Sequence, residues 1–162
     1  MRGILFLLGF TGSLVFSITG LAKGDFPTGP DLSLTPGSLC QSADEIRYPE
    51  KISYCRRDVS TGTKRQIIKE YDEELGYRVG SLNRQDFKID HYIPLCAGGS
   101  NSRNNLWPQH ESVFNVTDPL EQLMCEKMAD GVLAQKEAVD LIREAKADLS
   151  TVPGIIEHLR AL

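Results

Sequence analysis

The chain has 162 residues, enough for one domain with a hydrophobic core and too few for two large domains. It carries 18 Lys and Arg against 22 Asp and Glu, and this net charge of −4 excludes a protein that coats DNA through overall positive charge. The charges are uneven, because residues 47–103 carry 11 basic and 8 acidic side chains whereas residues 104–162 carry 5 basic and 10 acidic ones. A polyanion would therefore be met by the middle of the chain.

The first 22 residues form an apolar segment with a basic residue, Arg2, near its start and no acidic residue. Small residues at Gly20 and Ala22 complete the pattern of a secretory signal peptide at residues 1–22. An uncleaved membrane anchor is the alternative, because the run is nearly long enough to cross a bilayer, although Gly, Ser and Thr dilute it. We therefore expect a secreted or periplasmic protein without stable membrane association after cleavage.

Four cysteines, Cys40, Cys55, Cys96 and Cys125, all follow the predicted signal peptide. Export to an oxidising compartment makes two disulfides the expected state, with three possible pairings. We favour Cys40–Cys55 as a local link and Cys96–Cys125 as a link between a loop and a later helix. A four-cysteine zinc site is the alternative, although no two cysteines have the C-x-x-C spacing typical of such sites.

The first half of the chain is predicted to contain one clear helix. Residues 23–36 include three prolines and no apolar periodicity, which indicates an extended linker. Residues 40–55 are predicted to be irregular, with one short helical turn. Apolar residues then recur at helical spacing over residues 63–75, and Gly76 is placed to end that helix.

The second half is predicted to contain a hairpin followed by helices. A short strand begins at Phe87 and breaks at Pro94, Gly98-Gly99 makes a turn, and residues 106–108 form a returning strand or bend. The predicted helices follow at residues 118–129, 133–148 and 153–159. In the first of these, Asp118 is the expected N-cap, Pro119 the first helical residue and Glu121 the capping-box partner.

The pair Asp90-His91 joins two chemical groups that phosphodiester hydrolysis needs. A neutral imidazole takes a proton from water near physiological pH, and a carboxylate is a ligand for a hard metal ion. Asn105 follows His91 by fourteen residues across the glycine turn, where its side chain is placed to brace the loop. The sequence therefore predicts a metal-dependent hydrolytic site at this hairpin.

This region resembles the HNH endonuclease family, in particular a group of small exported proteins with this motif. The matching residues are Asp90-His91, Pro94-Leu95, Gly98-Gly99 and Asn105-Leu106. The resemblance extends over residues 35–148 and includes the run Asn105-Leu-Trp-Pro-Gln109. It departs from the family in lacking the Cys pairs that hold a structural zinc in many relatives, a role that disulfides would take here.

The resemblance implies an α+β fold in which a ββα-metal (His-Me finger) motif is embedded in a mainly helical frame. The nuclease-like domain is expected at residues 37–150, with a short helix or tail at residues 151–162. The implied catalytic residues are His91 as general base and Asn105 as the residue that holds its loop. Asp90 is the implied metal ligand, Asn115 is the best-placed second ligand, and His110 is the alternative.

The expected cofactor is a divalent metal, Mg²⁺ first and Mn²⁺ or Zn²⁺ as alternatives, because Asp and Asn offer hard oxygen ligands. The expected substrate is DNA, with RNA as a second class, cut with low sequence specificity to leave a 5′-phosphate. Arg84, Lys88 and Arg103 are the expected nucleic-acid contacts. The side chains expected to extend that basic surface are Lys51, Arg56, Arg57, Lys64 and Arg65. The alternative is a non-enzymatic, disulfide-linked binding or adaptor module of the cell envelope that keeps the nuclease fold.

Overall fold

The computed structural model describes residues 24–162, so the predicted signal peptide lies outside the described residues. The described part has an α+β fold with four α-helices and two separate two-stranded antiparallel sheets, which confirms the predicted class. The elements are β1 Glu45–Arg47, β2 Ile52–Tyr54, α1 Thr61–Leu75, β3 Phe87–His91, β4 Leu106–His110, α2 Glu111–Ala129, α3 Gln135–Ala147 and α4 Val152–Ala161.

The helices and the second hairpin enclose two hydrophobic clusters. One lies among α2, α3 and α4 and includes the fully buried Leu120, Met124 and Ile142. The other lies between α1 and the β3–β4 hairpin and includes Tyr71 and Trp107. The β3–β4 hairpin therefore packs on the cluster that contains Trp107, and α2 contributes Leu120 and Met124 to the other cluster.

The β1–β2 hairpin lies where the sequence predicts a helical turn, and that prediction is wrong. The two strands pair in antiparallel register from Glu45 opposite Tyr54 to Arg47 opposite Ile52. Lys51 N–H donates to the Tyr48 carbonyl at 2.9 Å, and both of these turn residues have positive φ. The turn contains no glycine, so its two positive-φ positions have no marker in the sequence.

The segment 24–36 that precedes the predicted nuclease domain packs against that domain. The Phe26 ring stacks on His110 with ring centroids 3.9 Å apart. Thr35 is fully buried, its Oγ1 donates to the Leu106 carbonyl at 3.0 Å, and it shares a 2.8 Å hydrogen bond with the Tyr71 hydroxyl. The segment thus contributes directly to the packing of β4 and α1.

Tyr71 makes the stability of this packing sensitive to alkaline pH. Burial raises the pKa of Tyr71 from 10.0 to about 12, because the phenolate would lose its hydration. A group whose pKa is raised on folding contributes stability below its unfolded pKa and loses that contribution as pH rises through its folded pKa. We expect the free energy of unfolding to fall by about 2 kcal/mol between pH 10 and pH 12. Urea denaturation across this range tests the prediction; an equally steep fall in Tyr71→Phe would contradict it.

The β3–β4 hairpin pairs His91 with Leu106 at its loop end and Phe87 with His110 at the other end. Asn105 is fully buried and holds the loop that joins the strands. Its side-chain oxygen accepts from Ile93 N–H at 2.9 Å, and its amide nitrogen donates to the Ile93 and Ser100 carbonyls at 3.0 and 2.9 Å.

The loop also needs a glycine at position 99. A β-carbon added to Gly99 would lie 1.8 Å from the Ile93 carbonyl oxygen and 2.9 Å from the Asn105 amide nitrogen. The Gly-Gly motif therefore allows the close backbone approach on which the hydrogen bonds of Asn105 depend.

Helix α2 begins at Glu111, seven residues before the predicted start, so the prediction of Asp118 as N-cap is wrong. His110 caps the helix instead, because its Nδ1 accepts from Ser112 N–H at 3.1 Å. Pro119 lies inside the helix. Val113 and Thr117 are buried, so packing of the first two turns stabilises helix that the proline would otherwise interrupt.

Both favoured disulfides are confirmed, and all four cysteines are paired, which excludes the four-cysteine zinc site. Cys96–Cys125 joins the loop after β3 to α2, and Cys40–Cys55 holds the chain immediately before Arg56. Two disulfides indicate an oxidising environment. Among residues 24–162, none of the helices has the length and apolarity needed to span a membrane.

Candidate functional site

His91 ends β3 with its side chain only 3% exposed, and both ring nitrogens have hydrogen-bond partners. Nε2 lies 3.1 Å from the side-chain oxygen of Asn101, and Nδ1 lies 3.1 Å from Nη1 of Arg57. The Asn101 amide nitrogen donates to the Arg56 carbonyl at 2.6 Å, so its oxygen must face the imidazole. Because a guanidinium only donates, the network assigns the ring hydrogen to Nε2 and a lone pair to Nδ1.

Asp90 lies beside this lone pair, with its Oδ1 3.9 Å from Nδ1 of His91. Its Oδ2 is 3.0 Å from Nζ of Lys88, and its Oδ1 is 3.6 Å from Nη1 of Arg57. Burial alone would raise the pKa of Asp90, but the positive charges of Lys146 and Lys88 outweigh it and hold the pKa well below its ordinary value. Asp90 is therefore an ionised carboxylate at any physiological pH.

Two carboxylates from α2 join Asp90. One oxygen from each of Asp90, Asp118 and Glu121 lies within 4.8 Å of the others. Oxygens on opposite sides of a Mg²⁺ or Ca²⁺ ion are about 4 to 5 Å apart, twice the usual metal–oxygen distance. The spacing and the hard oxygen donors of this carboxylate cluster therefore fit a divalent cation.

Lys146 supports the cluster from inside the protein. Its side chain is fully buried on α3, and its Nζ lies 2.7 Å from the Glu121 carboxylate and donates to the His91 carbonyl at 2.7 Å. Burial raises the pKa of Glu121, and the charge of Lys146 opposes that rise. One ammonium group thus joins the backbone that carries the imidazole to a carboxylate on α2.

Lys88 lies between the carboxylates of Asp90 and Asp118. Its Nζ is 2.7 and 2.8 Å from the two oxygens of Asp118 and 3.0 Å from Oδ2 of Asp90. Its side chain is 35% exposed, so it can turn toward solvent without unpacking a core. The ammonium is a built-in counter-ion for the cluster, and an incoming cation must displace it from Asp90 and Asp118.

This competition predicts the effect of removing the ammonium. Lys88→Met is expected to bind Mn²⁺ about tenfold more tightly than the parent, because the carboxylates no longer have to be freed first. Isothermal titration with Mn²⁺ measures the affinity, with Lys136→Met as the control because Lys136 pairs with Asp140 on exposed α3 surface. An unchanged or weaker affinity in Lys88→Met would show that the ammonium does not compete for the site.

Asn115, the predicted second ligand, is exposed on α2, and its side chain makes no hydrogen bond to any other residue in the range 24–162. The groups that approach Asp90 lie further along the helix, at Asp118 and Glu121. The alternative ligand His110 pairs with Phe87 at the opposite end of the hairpin from His91, and its Nδ1 caps α2.

The three side chains predicted to contact nucleic acid also lie in different parts of the structure. Lys88 belongs to the carboxylate cluster, whereas Arg84 donates to the carbonyl of Phe87 at the far end of β3. Arg103 is half-exposed and pairs with Glu70 on α1. The structure thus gathers only Lys88 of these three around Asp90.

Four residues of this constellation have no site role that the sequence predicts: Asn101, Asp118, Glu121 and Lys146. The sequence predicts helix-capping roles for Asp118 and Glu121, although their i, i+3 spacing also places two carboxylates on one helix face. The sequence offers one indication that Lys146 is buried, because this lysine lies within the apolar stripe of α3 beside the buried Ala145. The sequence gives no indication of a site role for Asn101, because this residue belongs to a polar loop.

No protein-family model matches the chain, and no curated protein or solved structure matches it significantly.

Proposed function

We propose that the protein is a metal-dependent endonuclease of HNH type that hydrolyses phosphodiester bonds of DNA, and of RNA as a second class. One observation carries the proposal: the lone-pair nitrogen of the His91 imidazole lies 3.9 Å from Asp90, whose carboxylate converges with two others. A base and a cation-binding cluster side by side are what hydrolysis of a phosphodiester by water requires. The strand–strand–helix succession β3–β4–α2 supports assignment of this region to a ββα-metal motif.

In the proposed reaction His91 accepts the proton of the attacking water at Nδ1. The hydrogen bond from Nε2 to Asn101 fixes the tautomer, and the resulting imidazolium lies beside the ionised Asp90. Asp90, Asp118 and Glu121 would hold the divalent cation. Bound there, a cation such as Mg²⁺ supplies Lewis-acid stabilisation of negative charge on the phosphate and the leaving oxygen. Hydrolysis on these lines leaves a 5′-phosphate.

The substrate is proposed to be nucleic acid without strong sequence preference. The basic side chains around the site, Arg57 and Lys88, suit phosphate groups, and such contacts position a backbone without identifying bases. The two disulfides agree with activity in a secreted or periplasmic setting.

A non-enzymatic binding module of the cell envelope is the second candidate, and the same site offers one observation in its favour. Internal cations neutralise all three carboxylates: Lys88 pairs with Asp90 and Asp118, and Lys146 pairs with Glu121. A protein that never binds a metal would have the same self-neutralised cluster.

Product analysis separates the two candidates. Oligonucleotides of single-stranded DNA, duplex DNA and single-stranded RNA, each with a fluorescent 3′ end, would be incubated with the disulfide-bonded protein and Mg²⁺ or Mn²⁺. The nuclease proposal expects shortened products that carry 5′-phosphates. An exonuclease that requires a 5′-phosphate should digest these products, and prior phosphatase treatment should protect them. Retention of intact oligonucleotide together with a gel-mobility shift would favour the binding module.

A further inference from the structure

Arg57 covers the one nitrogen of His91 that carries a lone pair. Its Nη1 lies 3.1 Å from Nδ1 of His91, and its Nη2 donates to the Ile89 carbonyl at 2.6 Å. Nη1 is also 3.6 Å from Oδ1 of Asp90. The guanidinium therefore bridges the imidazole, the strand backbone and the carboxylate, and it fills the position from which Nδ1 would meet a water molecule.

A base nitrogen in this state cannot accept a proton from water, because its lone pair already accepts a hydrogen bond. With Nε2 bonded to Asn101 and only 3% of the residue exposed, His91 has no free acceptor in the described arrangement. If His91 acts on water, Arg57 must first leave Nδ1.

The side chain of Arg57 can leave without disturbing the fold. It is 45% exposed, and it belongs to the irregular stretch 55–60 between β2 and α1. The disulfide Cys40–Cys55 fixes the backbone two residues earlier. Rotation of the long side chain into solvent therefore requires no movement of the chain.

A phosphodiester is the ligand that best draws the guanidinium away. A guanidinium donates two parallel hydrogen bonds to a phosphate, whereas at His91 it has one neutral acceptor, one carbonyl and a longer ion pair. The phosphate thus replaces contacts to mostly neutral groups with a charge-assisted bidentate pair.

We propose that Arg57 is a cap on the base nitrogen of His91, which the scissile phosphate of the substrate displaces and then binds. The inference rests on the proposed function and adds regulation to the same site: the base becomes available only when a phosphodiester is present. In the absence of substrate, Arg57 keeps His91 inactive and in the required tautomer. Arg57 thereby selects for an anionic linkage.

The cap is tested by the rate at which diethyl pyrocarbonate acylates each histidine, followed by peptide mass spectrometry in EDTA at neutral pH. His158 is half-exposed on α4 and provides an internal reference. Relative to it, His91 of the parent is expected to react slowly, and Arg57→Ala is expected to raise the His91 rate about tenfold or more. Arg56→Ala is the matched control, because Arg56 is 73% exposed and does not contact the imidazole.

Displacement is tested on the parent protein with two small esters. Dimethyl phosphate is an anionic phosphodiester, and trimethyl phosphate is its neutral relative. At constant ionic strength, dimethyl phosphate is expected to raise the His91 acylation rate of the parent toward that of Arg57→Ala, and trimethyl phosphate is expected to leave it unchanged. In Arg57→Ala neither ester should have an effect, and Arg57→Lys, which keeps the charge without the planar fork, should lie between the two proteins.

Two results would overturn the proposal. Equal acylation of His91 in the parent and in a folded Arg57→Ala would show that there is no cap. The second result is an equal rate of His91 acylation in the parent with dimethyl phosphate and with chloride at the same ionic strength. It would show that a phosphodiester does not displace Arg57. Neither experiment involves cleavage, so a protein that passes both but cuts no nucleic acid refutes the nuclease proposal and leaves the cap intact.

Discussion

His91→Ala is expected to lower the rate of phosphodiester cleavage by about 10²- to 10⁴-fold, the usual contribution of a positioned general base. The loss should lie in kcat, because the imidazole acts on water and makes no proposed contact with the substrate. Initial rates on a fluorescent oligonucleotide in saturating Mg²⁺ measure the effect.

The two other histidines provide the controls. His158→Ala removes an exposed imidazole on α4 and should leave the rate within about twofold. His110→Ala removes the N-cap of α2, so it should cost about 1 kcal/mol of stability while the folded protein keeps its activity. Full activity in a folded His91→Ala would remove the base from the proposed mechanism.

Lys146→Met is expected to destabilise the protein by about 3 to 5 kcal/mol, the usual cost of removing one partner of a buried ion pair. The change leaves the largely buried Glu121 carboxylate without its ammonium and removes the hydrogen bond to the His91 carbonyl. Urea denaturation at neutral pH measures the free energy of unfolding.

A second substitution separates charge from packing. The double variant Glu121→Gln, Lys146→Met should recover part of the loss, because no unpaired charge then remains buried. Lys136→Met, an exposed lysine on the same helix, is the matched control and should change stability by less than about 0.5 kcal/mol. Equal stability of Lys146→Met and Lys136→Met would contradict the structural role of the buried ammonium.

The hairpin that carries His91 was predictable because its signals are local. Phe87 and Ile89 alternate as a half-buried strand does, and the Gly98-Gly99 pair marks a turn between the two strands. Asn105 was predictable as a brace for the same reason, since its partners at Ile93 and Ser100 lie within twelve residues of it.

The carboxylates on α2 were missed because a strong local signal pointed elsewhere. Asp118-Pro119 is typical of a helix start, but tertiary packing of Val113 and Thr117 extends the helix to Glu111. That extension turns Asp118 from a capping residue into a mid-helix side chain directed at Lys88.

The remaining contacts depend on long-range packing that no sequence pattern encodes. Arg57 meets His91 across 34 residues, and Lys146 meets the His91 carbonyl across 55 residues. A single sequence identifies both as cations and gives no information about which group each one faces. The packing of α3 brings Lys146 to His91, and the disulfide Cys40–Cys55 fixes the backbone close to Arg57.

The most direct test of the central claim is nicking of supercoiled plasmid by the disulfide-bonded protein with Mg²⁺, with EDTA, and with the variant Asp90→Asn. We predict relaxation of the plasmid that requires Mg²⁺, stops in EDTA and is lost in Asp90→Asn, because the cation and the carboxylate cluster act at one site. A folded protein that leaves the plasmid supercoiled with Mg²⁺ and with Mn²⁺, or one that nicks it equally well in EDTA, would contradict the account.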